Sequence, residues 1–136
     1  MRVTLVDAMA LRSFRSEDEL QMHVAQILRR FAPEDLWWTA VNPKPAKSRS
    51  VATMSKAMGL RAGAPDLVLC WHGQFLGVEL KNSKGTLSDV QLEEHQRMER
   101  AGMALVTVKT LAEMVAWLQD RGVPFRQEWT PPTPTG

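Results

Sequence analysis

The run Asp66-Leu-Val-Leu-Cys-Trp71, followed by His72-Gly73-Gln74 and then Phe75-Leu-Gly-Val-Glu79-Leu-Lys81, fixes the architecture of this chain. Both flanks are short apolar runs and the link between them is hairpin chemistry, so the segment reads as strands over 66–71 and 75–81 joined by a tight turn. With a two-residue loop at His72 and Gly73, Asp66 falls directly opposite Glu79. Opposed residues share a face of the sheet, with Cβ atoms about 4.5–5.5 Å apart. Lys81 projects to that same face because the strand period is two. A longer loop would shift the register and separate the three.

Two carboxylates and an ammonium at one end of a half-buried hairpin are costly unless something compensates the paired negative charge. A divalent cation does so. Hard oxygen donors in this number suit Mg²⁺ or Mn²⁺, which take one or two carboxylates and complete their shell with water and substrate phosphate. A charged lysine cannot ligate, but it can orient an attacking water or stabilise charge on phosphoryl oxygens. Phosphodiester hydrolysis is the chemistry this set supports. The competing reading is a cross-strand ion pair on a solvated sheet face, since isolated D…ExK patterns are common.

Working outward, Ser16 with Glu19 three residues on has the spacing of a capping box, and it opens a helix that runs to about Phe31 and stops at Pro33. Leu20, Val24, Ile27, Leu28 and Phe31 form its apolar stripe. Glu17 lies at the edge of that stripe with Gln21, whereas Glu19 shares the opposite face with His23, Gln26 and Arg30. Trp37 to Val41 reads as a short strand. From Asn42 to Pro65 the chain has no acidic residue and a scatter of Pro, Ser, Gly and Ala, which predicts a loop, with at most a helical turn at Met54 and Met58. Beyond the hairpin come a helix from Ser88 to about Ala101 ending at Gly102, a strand over Met103–Lys109, and a helix from Leu111 to about Arg121 closed by Gly122. The order helix-strand-strand-strand-helix-strand-helix predicts an α/β fold, a mixed sheet flanked by helices.

The length of 136 residues accommodates one domain. Its expected extent is 16–129, with residues 1–15 unassigned and a disordered Pro/Thr tail over 130–136. A formal charge of +2 leaves any nucleic-acid affinity to local clustering. The lone Cys70 excludes an internal disulfide framework and points to a reducing, cytoplasmic compartment; it reads as an inert buried thiol. No apolar run approaches the ~20 residues of a membrane span. His23, His72 and His95 lack ligand spacing and read as surface or hairpin residues.

Several spaced motifs occur together: Gly59-Leu-Arg-Ala-Gly63-Ala-Pro65-Asp66-Leu67, Glu79-Leu-Lys81, Lys84-Gly85-Thr-Leu87-Ser88-Asp-Val-Gln91, and Ala101-Gly102 before a strand. In this order they resemble the VRR-NUC family of the PD-(D/E)XK nuclease superfamily, over roughly Glu17 to Leu118. The resemblance implies a restriction-endonuclease-like fold and Mg²⁺- or Mn²⁺-dependent cleavage of DNA. It further implies that Asp66 and Glu79 bind the metal together with the Leu80 carbonyl, and that Lys81 is the catalytic lysine. Glu17 corresponds to the helix-borne acid, with Glu19 as runner-up, and Gln91 to the glutamine on the helix after the ExK strand. Small stand-alone members resemble Holliday junction resolvases and act as homodimers, so branched DNA and a second copy of the chain are the expected partners. The contact surfaces suspected are Trp37 or Trp38 and the apolar segment from Val3 to Leu11.

Beside a phosphodiester site, Lys44, Lys47, Arg49, Lys56 and Arg61, with Lys84, are the expected DNA contacts, against the alternative of a solvated loop. Two other functions compete: a restriction-type or repair nuclease acting on linear or flapped DNA, and a DNA-binding protein without turnover. Carboxylates facing phosphates without a metal would repel DNA, which disfavours the last.

Overall fold

The computed structural model describes residues 1–41 and 48–134. Its centre is the hairpin, in which β3 (Leu67–Trp71) and β4 (Gln74–Leu80) run antiparallel with Leu67 opposite Val78 and Trp71 opposite Gln74. The turn is two residues long, with φ of 45° at His72 and 83° at Gly73, the paired positive values of a type I′ turn. The register is therefore the one read from a two-residue loop. Strand β2 (Trp37–Ala40) adds antiparallel to β3, and β5 (Ala104–Val108) adds parallel to β4, giving the sheet order β2-β3-β4-β5.

Period-two alternation divides the sheet into two faces. Leu67, Leu69, Trp71, Leu76, Val78, Leu80 and Val108 bury one face under helices α2 (Glu17–Phe31) and α5 (Leu111–Asp120). Leu20, Val24, Ile27, Leu28 and Phe31 from α2 complete this core, as the helical spacing predicted, with Leu111, Met114, Val115 and Leu118 from α5. The other face carries Asp66, Glu79 and Lys81, and helix α4 (Asp89–Arg100) packs beside it on β5.

Each of these helices starts at a side chain that caps it. Ser16 Oγ accepts from Glu19 N at 3.1 Å, and Thr110 Oγ1 accepts from Glu113 N at 3.1 Å. Ser88 and Gln91 form a complete capping box, with Gln91 Oε1 accepting from Ser88 N at 3.0 Å. The box expected at Ser16 is only half made, because the Glu19 carboxylate turns to Arg15 and accepts from its backbone N and Nε, each at 3.1 Å.

Three features differ from expectation. The acid-free segment, read as a loop, contains helix α3 (Arg49–Ala57), capped by Ser48 Oγ on Val51 N at 3.2 Å. None of its residues is buried, so its apolar positions, Val51 and Met54, face outward without a core to report. Residues before the first predicted helix form β1 (Val3–Thr4) and α1 (Leu5–Ala8), and β1 pairs with β6 (Glu128–Trp129), Val3 opposite Trp129. Leu5 consequently lies in the chain's own core, which removes it from the surface suspected of intersubunit contact, while Val6 and Leu11 remain exposed. Cys70, expected to be buried, is partly exposed, because odd-and-even alternation in β3 puts it on the open face opposite Trp37 and Phe75. No described helix is long and apolar enough to cross a membrane.

Candidate active site

The hairpin ladder ends at Leu67 and Val78, and one step beyond, the chain at Asp66 bends away from the sheet. That bend brings the Asp66 carboxylate over the end of β4, where Oδ2 accepts from the backbone N of Leu80 at 2.7 Å. Val41 N in turn donates to the Asp66 carbonyl at 2.8 Å, tying the bend to the end of β2. The Leu80 peptide thus engages Asp66 through its N–H, while the Leu80 side chain is buried in the core.

Glu79 is only 2% exposed. Burial first, then the neighbouring Asp66 carboxylate, pushes its carboxyl up to about 9, while Lys81 pulls the other way and Glu17 adds to the rise. Without a cation Glu79 therefore keeps its proton at neutral pH. Lys81 Nζ stands 3.8 Å from Glu79 Oε2, beyond hydrogen-bond reach, so the ammonium is close enough to favour the ionised form without being consumed by it. The lysine stem is confined by Gly85, where an added Cβ would lie 3.3 Å from Lys81 Cβ.

His95 completes the buried cluster. It is 4% exposed, and its Nε2 lies 3.6 Å from Glu79 Oε1. Both atoms are buried without a hydrogen-bond partner among the described residues. Burial pushes the imidazole below its usual range, with Glu99 and the Gly63 backbone acting against that shift. The surface or hairpin reading is therefore corrected for His95, because α4 packs against the sheet and carries it inward. It holds for His72, which lies in the turn and meets Asp35 at 2.8 Å.

The remaining candidates divide. Glu17 is half-buried and its charge acts at Glu79, whereas Glu19 is held by Arg15, whose backbone N–H lowers its pKa first. Gln91 has its carbonyl oxygen committed to the helix cap. Arg61 forms a two-bond ion pair with Glu94, Nη2 donating to Oε1 at 2.9 Å, which draws the Glu94 carboxyl below its usual range. Arg61 therefore differs from Arg49, Lys56 and Lys84 in being already paired, among the described residues. Arg49, Lys56 and Lys84 are exposed, and Lys44 and Lys47 lie outside the described residues.

Among the described residues no three His, Cys, Asp or Glu side chains are arranged as a ready metal cage. The donor set nevertheless fits one hard divalent cation. Asp66 and Glu79 are in contact, and Glu79 Oε1 is a buried oxygen with no partner, a costly state that a cation would relieve.

A four-stranded mixed sheet with an acid pair at the end of its central hairpin, flanked by helices on both faces, is a restriction-endonuclease-like architecture. A solved structure named "VRR_NUC domain protein" is similar to the chain with a TM-score of 0.61 at 23% identity, over 76% of this chain and 85% of that one. A second, named "VRR_NUC domain", gives 0.53 at 19% identity, over 76% and 94%. The chain has the fold of these domains, in agreement with the resemblance of its motifs. No protein-family model and no curated protein matches the sequence.

Proposed function

We propose that this chain is a VRR-NUC-type, metal-dependent DNA endonuclease whose active site is built on Asp66, Glu79 and Lys81. The observation that carries the reading is the buried Glu79, pressed against Asp66 with one oxygen unpartnered. A structural ion pair has no need of two neighbouring carboxylates at the mouth of a hairpin, one of them buried, and that arrangement is destabilising unless a cation enters it.

Asp66, Glu79 and the Leu80 carbonyl would hold Mg²⁺ or Mn²⁺, with Glu17 contributing negative potential from α2. When bound, the cation supplies charge neutralisation, polarisation of a phosphoryl oxygen and activation of water. Lys81 presents its ammonium at the same face, where it can stabilise negative charge developing on the scissile phosphate. His95 packs against Glu79 from α4 and acts as a positioning residue, restricting where that carboxylate can turn. Gln91, at the start of the same helix, retains its amide N–H groups for the site.

Branched DNA is the proposed substrate and a homodimer the proposed assembly. One chain carries one Asp66/Glu79/Lys81 set, and a two-fold pair of sites would match the pseudo-symmetry of a four-way junction. Trp37, 60% exposed on the open sheet face beside Phe75, is a surface of the kind such a contact would use.

Labelled four-way, flap and linear duplex DNA incubated with Mg²⁺, Mn²⁺ or EDTA tests the reading. Cleavage only with metal, lost in Asp66→Asn, is expected. Undiminished cleavage in EDTA, or by that variant, would refute it. Preference for linear duplex would leave a nuclease and remove the junction selectivity. Sedimentation at the mass of one chain, 15.3 kDa, at micromolar concentration would remove the dimer.

A further inference from the structure

Helix α4 turns its other side to solvent beside the loop that leads into Asp66. There Arg61, Glu93, Glu94, Arg97 and Arg100 line an open groove of about 240 Å³. The spacing of Glu93, Arg97 and Arg100 places them along one exposed stripe of the helix, on the side away from His95 and adjoining Glu94. Glu94, 7% exposed, is neutralised by its two-bond pair with Arg61. Arg97 and Arg100 are exposed, and among the described residues neither has a carboxylate within ion-pair distance. The groove therefore has more guanidinium than carboxylate charge, and two of its forks are open.

We propose that this groove is a phosphate-binding subsite in which Arg97 and Arg100 hold a backbone phosphate of the DNA strand running into the Asp66–Glu79 site. The inference rests on the nuclease reading and adds to it a binding surface on α4, beyond the lysines and arginines of the acid-free segment. Guanidinium forks match phosphate oxygens two at a time, and their charge is fixed at every relevant pH. Arg61 is the positioning residue of this subsite. Through Glu94 it fastens the loop carrying Asp66 to the helix carrying the two free arginines.

The test is fluorescence anisotropy of a labelled duplex with the full chain in EDTA, titrated with salt. Arg97→Gln with Arg100→Gln should flatten the slope of log K against log salt by about 1.8, at about 0.9 per lost phosphate contact. Arg97→Lys with Arg100→Lys should keep most of the slope, because the charge remains. A matched double variant, Arg121→Gln with Arg126→Gln, removes the same charge away from the groove and should leave the slope unchanged. An unaltered slope in the Arg97/Arg100 glutamine variant, or an equal loss in the matched control, overturns the subsite while DNA binding by the wild type keeps the nuclease reading. Displacement of the duplex by millimolar inorganic phosphate at constant ionic strength would mark a free-phosphate pocket and overturn it too. Absence of DNA binding by the wild-type chain in EDTA and with Mg²⁺ alike would overturn the subsite and the nuclease reading together.

Discussion

Replacing Glu79 by glutamine should make the metal-free protein less sensitive to alkali. Its carboxyl is raised to about 9 by burial and by Asp66, so the folded chain keeps a proton that the unfolded chain loses at an ordinary carboxylate pKa. A raised pKa contributes stability that is fully present below the unfolded value, near 4.3, and is lost as pH rises through the folded value. Across the window between them, one extra proton bound by the folded state removes about 1.4 kcal/mol per pH unit. From pH 5.5 to 7.5 the wild type should therefore lose on the order of 3 kcal/mol that Glu79→Gln does not lose. Urea midpoints measured in EDTA at several pH values give this difference directly, and other titrating groups largely cancel between the two proteins. Adding Mg²⁺ or Mn²⁺ should restore wild-type stability more at pH 8 than at pH 6, because the ligand must be ionised, and should leave Glu79→Gln nearly unaffected. Parallel pH profiles for the two proteins would refute the raised Glu79 pKa.

Three further outcomes follow from the same geometry. Glu17→Gln should slow cleavage well beyond Glu19→Gln in side-by-side rates, since Glu17 acts at Glu79 and Glu19 is tied to Arg15; equal rates would place neither acid at the site. Lys81→Ala should lower kcat by about 10²–10³ with little change in metal affinity by titration calorimetry, and a variant that only bound metal less well would contradict its charge-stabilising role. Gly63→Ala should lower the thermal midpoint through strain of about 1–3 kcal/mol at its φ of +85°, before any clash with the Val90 carbonyl, and an unchanged midpoint would show that loop to be slack.

What could be read from the sequence followed local rules. The hairpin register was legible because His72-Gly73 permits a two-residue turn and the strand period then places every partner. Helix α2 was legible from the capping spacing at Ser16 and its apolar stripe, and α4 and α5 from the glycines that close them, Gly102 and Gly122. Helix α3 escaped because it buries nothing, so its segment carried no apolar stripe matched to a core. Strands β1 and β6 are two residues each and lie at opposite ends of the chain, beyond any local pattern. His95 was missed because its role exists only where α4 meets β4. A signal was present: Gln91, Glu94, His95 and Met98 recur at helical spacing and are the less exposed positions of α4, so its inward stripe is polar. A polar stripe facing a sheet marks a site more readily than a core. The Arg61–Glu94 pair had no such signal, its partners being far apart in sequence.

The loop entering Asp66 touches α4 twice, through the Arg61–Glu94 pair and through Gly63, where an added Cβ would stand 2.6 Å from the Val90 carbonyl. Strap and helix therefore form a single exchangeable cassette. Replacing the Asp66 loop by that of a related domain while keeping this helix would strand the buried Glu94 carboxylate, and any side chain brought in at position 63 would push against the Val90 carbonyl, on the helix that carries His95. The two pieces should accordingly be moved together, since a change in either one is felt at the acid pair.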